Sequence, residues 1–138
     1  MVASSLKNRS VLVVRPLREQ DAFLALLEQS EADVTYTPIM RIEPIDETQS
    51  IENLILILDQ FDKAIFISAN AAELGLEWVD EYWPMLPVGL ELFAVGQQTA
   101  QIFSQYGYPV FCPQDQQNTE GLLELEQLQK LDSKAVVI

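Results

Sequence analysis

The chain has no histidine, one cysteine and five glycines, and only eight lysines and arginines against 21 aspartates and glutamates, a net charge of −13 over 138 residues. The commonest general base and the commonest transition-metal ligand are therefore missing, and a lone cysteine builds neither an internal disulfide nor a thiolate metal site. Zinc chemistry and Ser-His-Asp or Cys-His catalysis are excluded. Cys112, between Phe111 and Pro113, is expected to pack as a small apolar residue and carries no assigned chemistry. The negative charge repels a phosphate backbone and an anionic bilayer, so neither nucleic acid nor membrane is an expected partner. No apolar run approaches the roughly 20 residues that span a bilayer, and residues 1–10 lack the apolar core of a secretory signal, which makes the cytoplasm the expected location.

What is present is the composition of a globular domain, 49% hydrophobic and 21% charged. Val11 to Val14 reads as a strand, and Arg18 to Gln29 as a helix with Phe23, Leu26 and Leu27 on one face. Val34 and Tyr36 alternate with polar neighbours in a second strand, and Pro38 and Pro44 bracket an extended stretch that could be a linker. Ser50 is a plausible cap for a helix carrying Ile51, Leu54, Ile55 and Leu58. There follow a strand from Lys63 to Ile67, a helix from Ala69 to Val79, a strand from Leu92 to Val95, a helix from Gln97 to Tyr106, a short strand from Val110 to Cys112, a helix from Gly121 to Leu131 and a strand from Ala135 to Ile138. The cluster Gln114 to Gln117 reads as a polar loop, and there is no internal repeat.

Strands alternating with helices across short connections give an α/β fold with parallel sheet flanked by helices, and periodicity alone favours a single flavodoxin-like domain. Two strands end in small polar residues, Ser68-Ala69-Asn70-Ala71 and Gly96-Gln97-Gln98-Thr99-Ala100. The carboxyl edge of a parallel sheet is where ligands bind, and free helix N-terminal amides favour anions, so a small anionic ligand is expected there. The final run Val136-Val137-Ile138 is an apolar strand with no covering element after it, the pattern of a chain cut short.

Five blocks in register carry a resemblance. Val11-Leu12-Val13-Val14-Arg15-Pro16, Ala64-Ile65-Phe66-Ile67-Ser68-Ala69-Asn70-Ala71, Phe93-Ala94-Val95-Gly96 with Thr99-Ala100, the turn Tyr106-Gly107-Tyr108-Pro109, and Glu120-Gly121-Leu122-Leu123 resemble uroporphyrinogen-III synthase in order and spacing. The resemblance covers the first half or somewhat more of such an enzyme. It implies a bilobal plan of flavodoxin-like lobes: residues 1–38 in lobe one, 39–45 as an inter-lobe linker and 46–138 as most of lobe two, with the second half of the family's chain missing. The two readings differ in whether Val11 to Val14 pairs beside Lys63 to Ile67.

The implied reaction, a lyase step of tetrapyrrole (heme and siroheme) biosynthesis, closes the linear tetrapyrrole hydroxymethylbilane to uroporphyrinogen III, inverting ring D and losing water, with no cofactor and no metal. An azafulvene forms as the hydroxyl leaves, ring D attacks through its substituted carbon, and a spiro intermediate results, so catalysis rests on positioning. By resemblance Ser68, Asn70, Gly96, Thr99 and Thr119 face the cleft from lobe two and Arg15 faces it from lobe one. The same residues have plainer roles: Ser68, Asn70 and Thr119 as helix caps, Gly96 as a turn residue, Thr99 as a self-satisfied hydroxyl, and Arg15 as the partner of a surface carboxylate such as Glu19. Glu120 reads as helix N-terminal charge, and Trp78 to Trp83 as packing in preference to a pyrrole-stacking platform.

Ile67 stands where many family members carry Thr, and none of Tyr36, Tyr82, Tyr106 or Tyr108 matches the context of the family's proposed tyrosine proton donor, so the catalytic residue is not identified. A complete chain of this length is expected to show little synthase activity. The family implies a monomer, whereas unpaired strand edges in a fragment favour association. The alternative is a non-catalytic flavodoxin-like module or a synthase-derived binding domain. Arg15-Pro16 after the first strand disfavours a phosphorylatable receiver, and no Gly-x-Gly-x-x-Gly or Walker pattern supports a nucleotide site.

Overall fold

The computed structural model describes residues 5–16, 21–46, 48–129, 131 and 135–138, and the chain divides into two compact units, Met1–Ile45 and Asp46–Ile138. In the first unit β1 (Ser10–Val13) pairs in parallel with β2 (Asp33–Tyr36), Ser10 opposite Asp33 and Val13 opposite Tyr36. Between them runs α1 (Ala22–Gln29), capped by Asp21, whose carboxylate accepts from the N–H groups of Phe23 and Leu24. The earlier start expected for this helix, from Arg18, lies outside the described residues. Val13 and Leu27 are buried, while Leu12 and Leu26 are 64% and 60% exposed.

The second unit opens with α2 (Gln49–Leu56) and a 3₁₀ turn at Leu58–Gln60. Thr48, not Ser50, caps α2 by accepting from Ile51 N–H, which leaves Ser50 inside the first turn. The strands β3 (Lys63–Phe66), β4 (Glu91–Ala94), β5 (Val110–Phe111) and β6 (Val136–Val137) form one parallel sheet in the order β5-β4-β3-β6. β1 pairs only with β2 among the described residues, so the single-sheet expectation fails: there are two sheets, and Val11 to Val14 does not join β3.

Side-chain alternation along β3 and β4 separates two cores. Ala64 and Leu92 pack against α3 (Ala69–Tyr82) and α4 (Gln97–Gln105) through Ala72, Leu76, Ile102 and Phe103. Ile65 and Phe93 face the other way and meet Leu122 and Leu128. These two leucines explain why the helix expected from Gly121 to Leu131 divides into α5 (Thr119–Leu123) and α6 (Glu126–Gln129), with Lys130 outside the described residues. At 100° per residue, a continuous helix turns positions 122 and 128 to faces about 120° apart, and the break at Glu124-Leu125 aims both at Phe93.

α3 runs on to Tyr82 because Pro84 sets its stop: Trp83, before the proline, is extended at φ −124° and ψ 127°. Its indole N–H donates to the Ile55 carbonyl at 2.8 Å, and both tryptophans pack with Ile55, Leu58 and Val79, which fits packing and not ligand stacking. A groove of about 360 Å³ runs between α2 and α3 over β3 and β6, with walls that include Leu54, Ile55, Phe66, Leu76, Val79 and Val137. Among the described residues no helix is long and apolar enough to cross a membrane.

Candidate functional site

The carboxyl ends of β3, β4 and β5 each lead into a helix start, and the strand order reverses between β3 and β6, where an open parallel sheet forms its binding crevice. After β3, Ser68 is extended (φ −152°, ψ 156°) and its hydroxyl oxygen accepts from Ala71 N–H at 3.1 Å, capping α3. The hydroxyl proton stays free to donate outward. Asn70 follows in the first turn, half-buried, and its carboxamide has no hydrogen-bond partner among the described residues.

After β4, Gly96 precedes α4 with extended backbone (φ −157°, ψ 169°) and no side chain to cap it. The cap arrives from a distance: Gln97 N–H donates to Gln117 Oε1 at 3.0 Å. Thr99 is 3% exposed, turned into the interior and not to solvent. After β5, the cap of α5 is Asn118, whose carboxamide oxygen accepts from Gly121 N–H at 2.9 Å. Thr119 is thus the first helical residue and exposed, not the cap expected from the sequence. Asn takes the position because its side chain caps better than that of Thr.

This edge has no cationic side chain among the described residues. The second unit's one described lysine, Lys63, is 3% exposed at the start of β3, paired with Glu91 and 5.2 Å from the Phe93 ring centroid. The donors that this edge presents are neutral: backbone N–H groups, hydroxyls and carboxamides. Its apolar member is Ile67, 64% exposed.

The family model of uroporphyrinogen-III synthase HemD matches residues 21–138. The chain belongs to this family. It is 27% identical to the uroporphyrinogen-III synthase of Escherichia coli (strain K12) over 133 residues, which are 94% of this chain and 53% of that protein. The enzyme of Proteus mirabilis is 26% identical, with 94% of this chain and 65% of the relative covered. That of Synechococcus elongatus is 28% identical over 110 residues, 78% of this chain and 41% of its own length. The chain spans about half the length of the curated relatives it matches.

Within this member of the family, five of the six candidate residues stand on the second unit's carboxyl edge and Arg15 belongs to the first unit. The Arg15 guanidinium is 2.5 Å from the Asp21 carboxylate and 5.3 Å from the Phe23 ring centroid, so it braces the cap of α1. Glu19, the carboxylate named from the sequence, lies outside the described residues. Burial works against the Asp21 carboxylate, but the N–H groups of Leu24 and Phe23 and the Arg15 guanidinium outweigh it and hold the pKa below its ordinary value.

Cys112 is partly buried, its S–H donates to the Pro113 carbonyl at 3.5 Å, and burial raises its pKa, consistent with an unreactive thiol. The residue that sequence reasoning missed is Gln117, taken only as part of a polar loop. The signal lies in two glycines: a Cβ on Gly96 would stand 3.0 Å from Gln117 Oε1, and one on Gly121 2.0 Å from the Gln116 carbonyl oxygen.

Proposed function

We propose that this chain contributes to the ring closure of hydroxymethylbilane to uroporphyrinogen III, with the carboxyl edge of the second unit as the surface that receives substrate carboxylates. The reading is carried by that edge: helix starts after β3, β4 and β5, faced with Ser68, Asn70, Gly96 and Thr119 and free of cationic side chains among the described residues. Helix N-terminal amides and hydroxyls hold carboxylates by short, directed hydrogen bonds. Such donors suit a substrate that must be folded and released, because positioning dominates the chemistry.

Membership of the synthase family supports the reading, and so do the residue blocks on this edge. The division between Ile45 and Asp46 supports residues 1–38 as part of one lobe, 39–45 as a linker and 46–138 as most of the other. Arg15 on this plan stiffens the start of α1, and its contact with substrate is the least supported of the six assignments.

The test is a coupled assay. Hydroxymethylbilane is generated in place by its deaminase, the protein encoded by the complete reading frame is added, and the uroporphyrinogen isomers are separated. The bilane closes spontaneously to isomer I. Isomer III is the expected product, and isomer I alone overturns the proposal in favour of a binding module.

A further inference from the structure

The stretch from Pro113 to Asn118 crosses from β5 to α5 and is tied at three points. Pro113 is buried at one end, Asn118 caps α5 at the other, and between them Gln117 Oε1 accepts from Gln97 N–H at 3.0 Å. Apart from the buried Pro113 the stretch is exposed, from Gln114 to Asn118.

Two glycines fit this course. A Cβ on Gly96 would meet Gln117 Oε1 at 3.0 Å and Gln117 Cβ at 3.4 Å. A Cβ on Gly121 would meet the Gln116 carbonyl oxygen at 2.0 Å, closer than any real contact. The positive-φ glycines among the described residues are Gly89 and Gly107, so Gly96 and Gly121 are explained by close approach and not by backbone conformation. Both make room for the dipeptide Gln116-Gln117.

The ties differ in strength. Gln116 is seated by backbone packing on Gly121 beside a capped helix. Gln117 is held to α4 by one neutral hydrogen bond at an exposed position, enough to bias an opening equilibrium only about fivefold. We infer that Gln117 is a latch. When it is closed, the Gln117 side chain lies over the start of α4; when it is released, the strap lifts between its anchors at Pro113 and Asn118 and uncovers Gly96 and Gln97, while the sheet and α4 stay folded. The latch regulates access to the carboxyl edge of β4, a consequence that rests on the function proposed above, although the latch itself does not.

Three variants test it without any ligand. Gln117→Ala removes the acceptor. Gly96→Ala leaves Gln117 intact but crowds its carboxamide off the helix start. Gln117→Glu restores an acceptor, with a charge that the start of α4 favours. Two rates are measured on the whole chain: hydrogen exchange of the Gln97 amide, and cleavage at Asp115 by a protease specific for acidic residues, which needs the strap to lift away from its support.

In Gln117→Ala and Gly96→Ala both rates are expected to rise about fivefold while the core amide of Phe93 keeps its rate. In Gln117→Glu both stay at or below the wild-type rates. If the Gln97 amide speeds up in Gln117→Ala while Asp115 is cut at the wild-type rate, Gln117 caps a helix and latches nothing. An equal acceleration at Phe93 also overturns the inference, since the opening is then global. Should Gly96→Ala fail to fold, the two Gln117 variants decide. Failure of the ring-closure assay bears on the proposed function alone, because neither rate involves a tetrapyrrole.

Discussion

At the scale of single residues, Ser68 separates a cap from a binding group. Its oxygen accepts from Ala71 N–H, and its proton remains available to a ligand oxygen. Replacing it with Ala removes both roles and is expected to cost about 1 kcal/mol of stability, read by urea unfolding. Ser68→Asp keeps the cap and stays within about 0.5 kcal/mol of wild type, but turns a negative charge toward incoming carboxylates, so on the proposed function isomer III formation by the protein of the complete reading frame is expected to fall about tenfold or more. An unchanged rate in Ser68→Asp would leave Ser68 a cap and nothing else.

Asp21 gives the pH prediction. Its folded pKa is depressed, so its stabilising contribution is present above the unfolded carboxylate value and is lost as pH falls through the folded one. A carboxyl-carbon NMR titration is expected to place its midpoint below that of an unfolded aspartate, and Arg15→Met is expected to raise it. Ser68 and Gly96 were legible in the sequence because an apolar strand running into small polar residues is a local pattern. Gln117 was not, because its contact spans 20 residues and depends on the sheet bringing the loops after β4 and β5 together.

At the scale of elements, the β3–β4 pair sets the register of the edge. Lys63 stands opposite Glu91, and Ala64 opposite Leu92. Lys63 is buried, donates to Glu91 and lies over Phe93, so the pair fixes the amino ends of two strands whose carboxyl ends carry Ser68 and Gly96. Glu91→Gln leaves the lysine charge buried without its counter-ion and is expected to destabilise by about 1–3 kcal/mol, whereas the double replacement Lys63→Met with Glu91→Gln recovers most of that loss in thermal unfolding. A single variant as stable as wild type would show that the pair does not fix the register.

Most elements of this unit follow from apolar periodicity, and the misread positions have local causes. Thr48 and Asn118 cap in place of the neighbours Ser50 and Thr119, and α5 and α6 divide because Leu122 and Leu128 must reach one face.

At the scale of the whole molecule, composition and alternation gave the α/β class but pointed to a single sheet, because a strand–helix–strand unit looks alike in sequence whether it joins its neighbour's sheet or forms its own. The chain divides into two compact units between Ile45 and Asp46, each with its own sheet.

The groove between α2 and α3 sharpens the functional question, since its lining includes none of the six candidate residues. An apolar ligand would choose the groove, and an octacarboxylate the polar edge. The deciding measurement is an amide chemical-shift titration of the protein with uroporphyrin III, a stable octacarboxylate. We expect saturable shifts at Ser68 to Asn70, Gln97 to Thr99 and Gln117 to Gly121. Shifts confined to groove residues such as Gly75 and Trp78, or no saturable shift, would contradict carboxylate binding at the edge.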